Sequence, residues 1–170
     1  MKNHFKTKQG YSLVEMVLYV SILSVFFIII VNSLLSFTKP YREILALRVV
    51  ERSGLDSMER IVREVRAATT VDTANSTLSS SPGVLSLVST YNNISTTTKF
   101  YISNNVLNVD VNGVYQGPLS AGSTSITNLT FYHLTNGVSS AIKINMTIEA
   151  VVGNVTKTKK YSTTVVLRGV

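Results

Sequence analysis

The sequence predicts an α+β protein. A long N-terminal helix, transmembrane in its first half and amphipathic in its second, should pack on a C-terminal antiparallel β-sheet. Three observations carry this expectation. Met16 to Thr38 is a run of 23 residues without a charge. Tyr41 to Ala68 repeats apolar residues at three- and four-residue steps, the period of a helix with one buried face. From about residue 74 the composition turns to Ser, Thr and Asn, and apolar residues begin to alternate with polar ones, as in strands with one wet face. A chain of 170 residues holds one core and an additional element. The expected segments are 1–10, a leader; 11–39, the apolar helix; 40–73, the amphipathic helix; and 74–170, an exported β-sheet domain.

As a helix, the apolar run would be about 35 Å long, against a hydrocarbon core of about 30 Å. Lys2, Lys6 and Lys8 precede it, which predicts a cytoplasmic N-terminus and an exported C-terminal domain, although Lys39 and Arg42 on the far flank reduce the asymmetry. An ordinary cleaved signal peptide would have a shorter apolar region ending in a small-residue site. "NSLLSFTKP" offers no such site, so the chain reads as a single-pass protein of the cytoplasmic membrane.

In the amphipathic helix, Ile44, Leu47, Val50, Leu55, Met58, Ile61, Val62, Val65 and Ala68 form the apolar stripe. Asp56 with Arg60 and Glu59 with Arg63 offer acid-before-base pairs four apart. Pro40 should kink the joint with the apolar helix, and Gly54 is a second soft point. "ANSTLSSSPG", residues 74–83, reads as a loop. The strands expected after it are Val84–Ser89, Lys99–Ser103, Val106–Val111, a short return after Asn112-Gly113, Ile126–Leu134, Ala141–Val152 and Val155–Leu167. Tight turns are expected at Asn104-Asn105, Asn112-Gly113 and Gly153-Asn154. Together they would make one antiparallel sheet of five to seven strands, packed on the amphipathic stripe.

The charge balance is sixteen Lys+Arg against nine Asp+Glu, a net +7 that would fall to +4 without residues 1–10. The basicity is therefore partly a targeting feature. With no Cys there is neither a disulfide framework nor a thiolate metal site. His4 and His133 stand apart from any second ligand at metal spacing, and no activated nucleophile motif occurs, so neither catalytic residue, metal nor cofactor is expected. The arginines at 48, 52, 60, 63 and 66 are interleaved with acids, which opposes a nucleic-acid face. "KTKKY", with Lys157, Lys159 and Lys160, is the better basic patch, though edge-strand lysines commonly serve to block edge pairing. The five N-x-[ST] matches are what such a composition gives by chance.

One residue resists the plain membrane reading: Glu15, a carboxylate at the mouth of the apolar run, where ionised groups are costly without a partner or purpose. The stretch "KTKQGYSLVEMVLYVSIL" resembles the processing signal of type IV prepilins and pseudopilins. The matching features are a basic leader (Lys6, Lys8), Gly10, an aromatic first mature residue (Tyr11) and Glu15 as the fifth mature residue. The resemblance implies cleavage between Gly10 and Tyr11 by a prepilin peptidase and methyltransferase, N-methylation of Tyr11, and incorporation into a filament with other pilins or pseudopilins through an inner-membrane assembly platform. It also implies that Glu15 pairs with the N-terminal amine of a neighbouring subunit. Glu15 lies about 6 Å along a helix from Tyr11, so a pair within one subunit is geometrically open as well. "MERIVREVRAATTV", "VLSL", "ITNLTFYHL" and "TTVVLR" further resemble J-type pseudopilins and W-type minor pilins, while Asn32 stands where major pilins commonly carry proline. The function implied is that of a non-enzymatic minor subunit of a type IV pilus, a type II secretion filament or a competence filament. The alternative is a bitopic signal-anchor protein with an exported β-rich binding domain. DNA binding through Lys157, Lys159 and Lys160 is a third and weaker reading.

Overall fold

A computed structural model describes residues 12–137 and 139–168. Among these residues, one helix, α1 (Leu13–Ala67), is followed by eight strands: β1 (Thr70–Val71), β2 (Leu85–Tyr91), β3 (Ile94–Ser103), β4 (Val106–Val111), β5 (Val114–Pro118), β6 (Thr124–Thr135), β7 (Ser140–Val152) and β8 (Val155–Val166). The fold class is α+β, as expected. The strands form two antiparallel sheets, β1-β2-β3-β4-β5 and β6-β7-β8, where the sequence suggested a single one. The chain divides into two compact units, Met1–Tyr41 and Arg42–Val170.

Within the second unit, one face of each sheet and one stripe of α1 share a core. Leu85, Leu87, Phe100 and Leu107 come from the first sheet; Ile126, Phe131, Ile142, Ile144 and Ile148 come from the second; Val50, Ile61 and Val65 come from the helix. Each such side chain, fully buried, contributes about 1.5 to 3 kcal/mol. The alternation in β7 is as the sequence reads: Ile142, Ile144, Met146 and Ile148 are buried while Lys143 is exposed.

Short turns fix the register. Asn92-Asn93, Asn104-Asn105 and Asn112-Gly113 all have positive φ at both positions, between 49° and 77°, as two-residue turns of type I′ require. Gly153 at φ 64° opens the β7–β8 turn. The Asn92-Asn93 turn and the first half of β3 escaped the sequence reading because "ISTTT" carries no apolar alternation. Also unexpected was β1: α1 ends at Ala67, and Thr70–Val71 already pairs with Val88 and Leu87. The sheets meet through backbone bonds to β6. Ser79 N donates to Phe131 O (2.8 Å), Gly83 N to Leu129 O (2.8 Å) and Ile126 N to Asn105 O (2.8 Å), which covers an edge that would otherwise stay open.

The helical stripe is rotated from its expected position. The buried positions are Ala46, Val50, Ser53, Gly54, Ser57, Met58, Ile61 and Val65, whereas Ile44, Leu47 and Leu55 are exposed. Small residues take the central places because strands and loops come close there. Ala121 N donates to Ser53 Oγ (3.0 Å), Ser53 shares a hydrogen bond with Thr124 (3.1 Å), and Ser57 Oγ donates to Leu119 O (3.3 Å). Gly54 is a contact point rather than a soft one: a Cβ there would land on the Tyr161 ring. Of the expected ion pairs, Glu59–Arg63 forms (3.2 Å), but Arg60 meets Glu64 (2.9 Å) and Asp56 meets Arg52 (3.9 Å). Pro40 lies inside α1 and does not end it.

Candidate functional site

The first part of α1 is predominantly apolar, and between Met16 and Thr38 it is uncharged. Its most apolar 18-residue window has a mean hydropathy of 2.7 and no buried residue, so the helix is long and apolar enough to cross a membrane. Three hydroxyls within it are satisfied by the helix itself. The hydroxyls of Ser21, Ser24 and Ser36 donate to the carbonyls of Val17, Val20 and Asn32, each at 2.8 Å. Such bonds let hydroxyls sit in hydrocarbon without an external partner.

Glu15 occupies the first turn of α1. That turn begins after Ser12, whose carbonyl accepts the Met16 N–H at 3.1 Å. Unsatisfied N–H groups and the positive end of the helix dipole favour a carboxylate there. The structure also brings Tyr19 to Glu15, the phenol donating to Oε1 at 3.1 Å. Sequence reasoning passed over Tyr19, although the four-residue spacing was the available signal. The other residues of the processing signal, Lys2, Lys6, Lys8, Gly10 and Tyr11, lie outside the described residues, as does His4.

In the second unit, three lysines had been singled out on β8. Two are engaged: Lys157 Nζ meets Glu43 Oε2 at 3.2 Å and Lys159 Nζ meets Glu51 Oε1 at 2.7 Å. The hydrogen bond from Lys159 to Glu51 is the main cause that holds the ammonium above its ordinary pKa. Lys160 points away and is exposed. Arg42 donates to Asn154 at 3.1 Å, and the Tyr161 hydroxyl donates to Val50 O at 3.3 Å. This face of β8 is therefore a polar seam along α1, and a phosphate would have to compete with carboxylates for two of its cations. His133 shares a 2.6 Å hydrogen bond with Ser140 across the β6–β7 hairpin. No protein-family model matches the chain, and neither the curated proteins nor the solved structures compared with it give a match.

Proposed function

We propose that the chain is a non-enzymatic minor pilin or pseudopilin, a structural subunit of a type IV pilus, type II secretion or competence filament, cut after Gly10 and assembled through its N-terminal helix. The observation that carries the reading is Glu15: a carboxylate in the first turn of a helix that is otherwise uncharged to Thr38, directly behind the Gly10-Tyr11 signal. The β domain, with its own core, would be the exported and recognising part. Its partners would be the peptidase and methyltransferase, other subunits, the assembly platform and membrane lipid. Lys157 and Lys159, already paired with Glu43 and Glu51, weigh against DNA as a further partner.

A bitopic signal-anchor protein with an exported binding domain is the second reading. It is favoured by one observation: the first helical turn and Tyr19 give Glu15 a favourable setting and one donor without a second subunit. N-terminal peptide and intact-mass spectrometry of the protein from its native membrane, with Gly10→Val beside it, separates the two. A pilin starts at N-methylated Tyr11, and the substitution abolishes that terminus. An uncut N-terminus containing Lys2, in cells with an active prepilin peptidase, rejects the pilin reading in favour of the anchor.

A further inference from the structure

Side chains on an α-helix lean toward its N-terminus, so a long residue at i reaches back over the residue at i−4. Tyr19 does this to Glu15, its hydroxyl donating to Oε1 at 3.1 Å. A phenol in hydrocarbon needs an acceptor of its own, and Glu15 supplies one within the same helix. A carboxylate offers about four acceptor sites, so this single bond leaves Glu15 able to accept from a cationic donor as well. Tyr19 approaches Glu15 from the C-terminal side, one turn along the helix.

We propose that Tyr19 is a positioning residue for Glu15: it holds the carboxylate in a defined orientation within the apolar segment until the amine of another subunit arrives. The role rests on the reading of Glu15 as an assembly residue. Tyr19→Phe tests it, because the ring and its volume stay and the hydroxyl is lost.

The test uses the full chain in cells with an active prepilin peptidase and compares the parent, Tyr19→Phe, Glu15→Gln and the double variant. Tyr19→Phe should leave the cut after Gly10 unchanged by mass spectrometry and lower the sheared-filament fraction about tenfold, the ratio that one hydrogen bond to a charged group supplies. Its effect on the amount retained in the membrane should vanish in the Glu15→Gln background. A filament fraction within about twofold of the parent, or an equal loss of membrane-retained protein in both backgrounds, overturns the proposal, since either outcome makes Tyr19 a packing residue only. If the parent itself proves uncut, the filament reading has failed on its own account. The carboxyl-carbon signal of Glu15 in the bilayer-embedded full chain then decides the Tyr19 contact. A displaced signal in Tyr19→Phe then keeps the Tyr19–Glu15 contact without an assembly role, and an unchanged one removes the contact as well; either overturns the positioning proposal.

Discussion

At the scale of single residues, the helix–strand contact of the second unit depends on what is missing from one position. Gly54 faces the Tyr161 ring, and that ring's hydroxyl reaches Val50 O at 3.3 Å. Alanine at 54 would gain up to about 1 kcal/mol in helix propensity. It would also push the ring off its half-buried seat and away from Val50, an overpacking cost of about 1 to 3 kcal/mol. The ring can swing, so the cost falls short of a backbone clash, yet the loss should win by about 1 kcal/mol. Urea unfolding of Gly54→Ala measures this. Removing the ring with Tyr161→Ala in the same chain should make the two substitutions less than additive. Full additivity would mean that the close approach carries no energy.

At the scale of elements, the loop between β1 and β2 is tied by one aspartate. Asn75 donates to Asp72 from its side chain (2.7 Å) and its backbone (3.2 Å), and Ser76 Oγ donates to the Asp72 carbonyl (2.6 Å) while accepting from Ser86 N (2.9 Å). The Asn75 side chain first, then the backbone N–H groups of Asn75 and Ala74 and the Ser86 hydroxyl, hold the Asp72 carboxyl below its ordinary pKa against the opposing effect of desolvation. A carboxyl depressed by folding lends stability that is present above its unfolded pKa and is lost as pH falls through the folded one. Amide exchange at Asn75, Ser76 and Ser86 should accordingly quicken, after correction for intrinsic rates, on acidification below the ordinary aspartate range. Asp72→Asn should flatten that pH dependence. Exchange equally pH-dependent in the substituted chain would assign the effect to another group. The part of this tie that reaches Ser86 was not legible in "VDTANST", because Asp72 and Ser86 are brought together by the pairing of β1 with β2. The Asn-Gly and Asn-Asn turns were legible, since positive φ at two successive positions selects few residue types.

At the scale of the molecule, every buried hydrophobic residue among the described ones lies between Ala46 and Leu167, inside the second unit. Residues 42–170 should therefore fold without the apolar helix and stay soluble without detergent. Circular dichroism with a cooperative thermal transition is the check, and an aggregated or molten fragment would show that the first unit contributes to the core. The sequence by itself determined the α+β class, the apolar span, the alternation of β7 and three of the tight turns. Each of these follows from local periodicity or from a backbone demand that few residue types meet. Tertiary structure alone decided that the strands divide between two sheets, that Ala46, Ser53, Gly54 and Ser57 rather than Ile44, Leu47 and Leu55 seat the helix, and that Lys157 and Lys159 answer Glu43 and Glu51. The physical reason is distance along the chain. Hydropathy marks which residues prefer to leave water, but a close backbone approach favours small side chains, and a salt link joins residues more than a hundred positions apart. Only the folded arrangement states which positions those are.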